Sequence, residues 1–391
     1  MYFIATFKKD YYKAITFIFQ TRLIKNVLYT WLLLIVMSIV YPVVFMTLDF
    51  SFFIIVFLQL FHLLAAVPFF AYIYLCDFTR HEIENSFVGI FVIQTIIQII
   101  VFSSPTLGEL IIQFNHFDTN LAEAGGLGSK VRGKALSAAT TYHLSLAYGI
   151  CFIIFIKEIL SKRVSILNVL IGFFVFVGIF FAGRTGFVGC IIGLFGYFIY
   201  KEKKQSKFIF LFKVVATILF ILFLVSFLLM QYAPDLYDDI TKNVLPYAFE
   251  FIDNMDQSGS METRSTNRLK EMWSEEFNLI ELIIGSGNFS NNDGSFYMHV
   301  DPGILRIPLF SGILGYFLVW LYQIKLFPLM KFKGRNKYYS LLIILYLAIM
   351  DFKAVTIGLN KFAFSITLLL SFIYLYLPDN SNAIKKGKNW L

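Results

Sequence analysis

Long apolar runs dominate this chain. Segments 27–48, 50–75, 86–103, 139–158, 164–182, 185–200, 208–230, 303–327, 338–352 and 361–377 are each predominantly apolar. A bilayer core about 30 Å thick takes about 20 apolar residues of helix to cross. Most of the runs meet that length, while 338–352 is short and 185–200 only just adequate. The pattern predicts an all-α polytopic integral membrane protein of about ten transmembrane helices. Residues 1–391 form a single helical bundle in this reading.

Polar segments between the runs are mostly short. Two are long, at 104–138 and 231–302. Long loops between packed elements are usually functional or disordered. The second contains "STNRLKEMWSEEF", where Leu269, Met272, Trp273 and Phe277 share one helical face. It predicts an amphipathic helix near 265–278, lying on the membrane surface or against the bundle.

Composition supports the pattern. Of 391 residues, 58% are hydrophobic, 15% are charged and 47 are Phe, with a mean hydropathy of +0.72. That much apolar surface exceeds what a soluble domain can bury. The net charge of +8 reads as topology rather than nucleic-acid binding. With the N-terminus inside, 22 of the 33 Lys and Arg fall on the inner segments, although the outer loops are longer. This bias places both termini in the cytoplasm and both long loops outside. The first 25 residues lack a clean apolar core and carry Lys8, Lys9, Lys13, Arg22 and Lys25, so no cleavable signal peptide is expected. Cys76, Cys151 and Cys190 have no CxxC or Cys/His spacing, so neither a disulfide framework nor zinc is expected. His62, His81, His116 and His143 show no ligand spacing, and no metal or cofactor is expected.

Candidate chemistry lies on the outer side. Arg132 and Lys134 occur in "GSKVRGKAL", Arg184 in "FAGRTGFVG", and Arg264 and Arg268 stand four residues apart, on one helical face. Arg306 lies one turn inside the eighth span. Arg306 has a snorkelling alternative, and Lys134 and Arg264 have the alternative of a solvated or lipid-phosphate-bound side chain. Arg184 sits in a very short turn between two spans, where a charge is costly unless it faces a polar cavity or a partner. Guanidinium groups bind phosphate or carboxylate in a fork. In "FYMHVDPGILR", residues 296–306, a histidine, an aspartate and an arginine crowd the mouth of a span. Asp301 before Pro302 also reads as a helix cap. Near arginines it stays ionised and suits a general base; His299 is the second candidate and also a plain loop histidine. Asp351 and Lys353 are expected to form a local pair.

The order "RLKEMW", "LIELIIGSGNF" and "DPGILRIPLFSGILGYF" resembles the O-antigen polymerase (Wzy-type) and O-antigen ligase superfamily. "FAGRTGFVG" is similar to that superfamily's Ser-Arg-Thr/Gly element, and "VRGKALSAATTYHLSLAYG" to its Arg–Gly stretch; the resemblance covers residues 130–320. Ligases carry a His-Asn pair about eleven residues before the first Gly of "GilG". Counting back from Gly312 gives Asp301, with Pro302 in place of Asn, so the polymerase branch is favoured over a ligase. The resemblance implies a glycosyltransferase of the bacterial cytoplasmic membrane that joins undecaprenyl-diphosphate-linked oligosaccharides without a metal. It implies that Arg184 and Arg268 hold diphosphate with Arg132 and Arg306 in support, and that Asp301 or His299 activates the acceptor hydroxyl. Membrane lipids and a chain-length-regulating membrane protein are the expected partners. The competing classes are a lipid-linked oligosaccharide flippase and an assembly scaffold. A lack of repeated halves and the few charges within the spans weigh against the flippase.

Overall fold

A computed structural model describes residues 2–115, 141–160, 165–200, 220, 223, 226–227, 229–232, 234–244, 254–255, 262–291 and 293–379. Arg132, most of the first long loop and most of the 208–230 run lie outside these residues. Among the described residues the chain is all α, with one isolated bridge between Ser290 and Phe296. The helices are α1 Tyr2–Gln20, α2 Arg22–Val44, α3 Ser51–Leu75, α4 Arg80–Ser103, α5 Pro105–Asn115, α6 Thr141–Phe155, α7 Ile166–Ala182 and α8 Thr185–Ile199. They continue with α9 Pro234–Asp239, α10 Arg264–Ser274, α11 Leu279–Ile284, α12 Gly303–Leu326, α13 Gly334–Asp351 and α14 Lys361–Tyr376. Four of them, α2, α3, α4 and the helix starting at Gly303, are long and apolar enough to cross a membrane. This is an all-α membrane protein.

The chain divides into two compact units, 1–83 with 269–391, and 84–268. Lipid is as apolar as a leucine side chain, so helices in it are held by packing and hydrogen bonds rather than by escape from water. In the first unit α1 packs on α3, and α2 on α12. Phe70 of α3 stacks on Phe372 of α14 at 4.4 Å. Buried amides tie the same elements: Gln59 donates to the Gly358 carbonyl, and Gly358 N–H donates to Gln323. Arg80 closes the end of α14 by donating to the carbonyls of Ile373, Tyr374 and Leu377. In the second unit α8 and α7 both pack on α6. Tyr148 of α6 shares a buried hydrogen bond with Thr95 and donates to Gln98 of α4. A π-helical turn, Ile156–Leu160, follows α6. It carries Lys157, which contacts Glu84 at 2.5 Å and Glu158 at 3.2 Å, all buried.

Helix α12 is broken. Ser311 (φ −130°) and Gly312 (φ 69°, ψ −179°) leave helical geometry in its middle. Asp351 touches it on both sides of the break: it packs against Gly303 and accepts from the Tyr316 hydroxyl at 2.9 Å. On a straight helix, residues thirteen apart would stand about 20 Å from each other. The break therefore folds the first half of α12 back toward Tyr316. That half is buried at every residue from Leu305 to Gly312.

Candidate functional site

The folded-back half of α12 is wrapped by a strap, residues 285–302. A helix break releases carbonyls from their intrahelical donors, and buried carbonyls need new ones. The strap supplies them. Ser286 N–H and hydroxyl donate to the Leu309 carbonyl, and Gly287 N–H donates to that of Phe310. Gly285 (φ 94°) and Gly312 face each other backbone to backbone: a Cβ on Gly285 would stand 2.7 Å from the Phe310 oxygen, and one on Gly312 would overlap the Ile283 carbonyl. Only glycine adopts both conformations without strain.

The α2–α3 turn fixes the strap from the other side. Thr47 donates to the Gly287 carbonyl, and Asp49 accepts from Phe289 N–H and Ser290 N–H at 2.6 Å each and from Ser51 N–H. Burial pushes the Asp49 carboxyl up, but hydrogen bonds from Ser51, Ser290 and Phe289 outweigh it and hold the group below the usual carboxylate range. This bonding therefore stabilises the fold fully above the ordinary carboxylate value of about 3.9 and is lost as pH falls through the lower, folded value. Asp49→Ala is expected to cost on the order of 2 kcal/mol. Its thermal midpoint should also lose part of the fall that the wild type shows on acidification.

Arg306 lies inside the wrapped half-helix, 6% exposed. Its guanidinium is sandwiched between the rings of Phe289 (3.8 Å) and Phe296 (3.5 Å) and donates to the Phe289 carbonyl. Its Nε is buried without a hydrogen-bond partner, and Asp301 and Asp49 lie within its electrostatic reach. Arg306 thus clasps the strap, with both guanidinium faces covered by phenyl rings. It does not snorkel.

His299 is exposed and Asp301 half-buried beside it. Met298 and His299 both hold positive φ, 52° and 56°, a strained pair for residues with side chains. Met298 and Tyr297 pack with Phe277, Leu282 and Ile304 on a core of Val300, Leu305 and Leu309, which over-determines the strained turn. Asp301 is not the helix cap. That position belongs to Pro302, whose carbonyl accepts from Leu305 N–H and Arg306 N–H. Asp351 also differs from the expectation of a pair with Lys353. It is buried and accepts from Tyr316, Thr356 N–H and Ile357 N–H.

The other unit holds Arg184. It is the N-cap residue of α8, half-buried, and makes no side-chain cap bond. Ser145 of α6 fixes the turn beneath it. The buried hydroxyl donates to the Gly183 carbonyl (2.5 Å) and accepts from the Thr185 hydroxyl and Gly186 N–H (2.7 Å each). All three of its hydrogen-bonding capacities are used. Ser145→Ala leaves those buried groups unmatched and is expected to cost about 2–3 kcal/mol. A lowered unfolding midpoint would report this loss.

Arg264 and Arg268 share helix α10, and Arg268 is exposed. The helix ends at Ser274, so Phe277 lies beyond it and packs at the strap instead. Met272 is buried, and Trp273 stacks on Phe352 at 6.0 Å. One unit thus gathers His299, Asp301 and Arg306, while Arg184, Arg264 and Arg268 belong to the other. Among the described residues no group of His, Cys, Asp and Glu has the arrangement of a metal site. Asp49, Ser145 and Tyr316 are absent from the sequence-level candidates, and Asp351 entered only as an expected partner of Lys353. Asp49 had one usable signal, a lone acid between two apolar runs. Comparison of the chain with protein-family models, curated proteins and solved structures finds no match.

Proposed function

We propose that this protein is a polysaccharide polymerase of the bacterial cytoplasmic membrane. It joins oligosaccharide units carried on undecaprenyl diphosphate, on the outer face, to build O-antigen, capsule or exopolysaccharide. The observation that carries the reading is Arg184. It is an arginine at the start of an apolar helix, on a turn that a buried serine holds through three hydrogen bonds. A helix N-terminus and a guanidinium both favour a phosphate anion. The resemblance across residues 130–320 supports the same chemistry.

In this reading the acceptor sugar hydroxyl attacks the anomeric carbon of the donor glycan. Its proton passes to Asp301, with His299 as the second candidate, and the anomeric bond to the lipid diphosphate breaks. Arg184 and Arg268 stabilise the departing diphosphate, with Arg132 and Arg264 in support, and preorganised charge suits a leaving group that gains negative charge. Arg306 contributes by holding the strap that carries His299 and Asp301. A ligase of the same superfamily would pass the finished glycan to a lipid acceptor instead.

Transport is the second reading, and one observation favours it. The buried cluster of Glu84, Lys157 and Glu158 is the kind of ionisable group that marks pathways through membranes. Asp301→Asn separates the readings in cells. A polymerase variant at normal membrane level should leave surface glycans one repeat unit long. Wild-type chain lengths from that variant would remove Asp301 from the chemistry.

A further inference from the structure

Helix α11, Leu279–Ile284, has two sides with different fates. Leu282 packs inward at the strap core, whereas Leu279, Ile280, Ile283 and Ile284 are each more than half exposed. Four adjacent large aliphatic side chains facing water would be unusual on an element so firmly built. Asn278 caps its start by accepting from Ile280 N–H, and Gly285 ends it.

The depth of α11 is set by two spans independently. Its last residues touch the break of α12, since Gly312 faces the carbonyls of Ile283 and Ile284. That break lies within a segment, Gly303–Lys331, apolar enough to cross a membrane. The strap just after α11 reaches the last turn of α2: a Cβ on Gly287 would stand 3.0 Å from the Tyr41 carbonyl and from the Phe45 Cβ. Beyond the break, Ile313, Leu314 and Phe317 of α12 are also exposed, so the apolar face of α11 runs on into that of a spanning helix.

We propose that α11 is a re-entrant element seated in the bilayer, its exposed face covered by lipid acyl chains. The 231–302 segment is then not wholly aqueous. It dips into one leaflet at α11, and that leaflet anchors the strap bearing His299 and Asp301. The apolar face fits acyl chains because it continues a span surface that the same chains must cover, and its one acid, Glu281, is half-buried.

The test uses full-length protein in nanodiscs, in a Cys76→Ser background because Cys76 is exposed. Single cysteines at Ile280, Ile283, Leu314 and the exposed strap residue Asp293 carry a nitroxide. Collision with dissolved oxygen reports lipid, and collision with a water-soluble nickel chelate reports water. Labels at Ile280 and Ile283 should match Leu314, with oxygen access far above nickel access, while Asp293 shows the reverse. Nickel access equal to that at Asp293 would overturn the proposal in favour of a water-facing helix. Access by neither reagent would overturn it in favour of a protein partner. Labels at Leu279 and Ile284 repeat the test if either first variant is not monodisperse.

Discussion

Gly312→Ala is expected to destabilise the protein by at least about 3 kcal/mol. Two effects combine at this position. The residue holds φ 69° and ψ −179°, a region in which essentially only glycine is comfortable. The new methyl would also overlap the Ile283 carbonyl, a backbone group that cannot swing aside. Relief would require α11 to withdraw from the break, and the Leu309 and Phe310 carbonyls would then lose Ser286 and Gly287. Gly294 gives the control. It too has positive φ, 79°, but nothing stands within 4 Å of its Cβ position. Gly294→Ala should cost only about 1 kcal/mol, from strain alone. Thermal unfolding in detergent, with the monodisperse fraction as a second readout, separates the two. Equal midpoints for both variants would mean that the packing of α11 on the break carries no energy.

Arg184→Lys is expected to lower polymerisation about a hundredfold while leaving the unfolding midpoint nearly unchanged. The substitution keeps the positive charge and removes the planar fork, so it tests bidentate anion binding rather than charge alone. Stability should persist because lysine keeps the charge and the turn below is held by Ser145. Measured with a lipid-linked repeat unit, the loss should appear in the rate at saturating substrate, as expected when an interaction strengthens as the diphosphate departs. A lysine variant with wild-type turnover would reduce Arg184 to a charge at the membrane interface.

Nine of the ten apolar runs overlap helices among the described residues, and four of those helices are long and apolar enough to cross a membrane, because an apolar run of bilayer length is legible as such. Helix α1 escaped the same logic. Its Lys8, Lys9 and Lys13 interrupt the apolar run, and the helix packs on α3. The break in α12 was written in Pro308, Ser311 and Gly312, but an unbroken apolar composition masked it. The Asp301 cap was inferred from local grammar, and it failed because the chain stays extended through Pro302, one residue longer than a cap at Asp301 requires. Asp49 and Ser145 were not legible as site residues. Their partners lie 240 and about 40 positions away, and no local pattern encodes such a contact. The pair of facing glycines, 285 and 312, was visible only as part of a resemblance; the structure supplies its physical reason, the approach of two backbones.

The most direct measurement takes purified protein in nanodiscs with its lipid-linked repeat unit and resolves the products by chain length. The account predicts a ladder spaced by one repeat, formed without added metal, which disappears with Asp301→Asn and fades with Arg184→Lys. Unit moved intact to an added lipid acceptor, or no product at all from folded protein on native substrate, would contradict it.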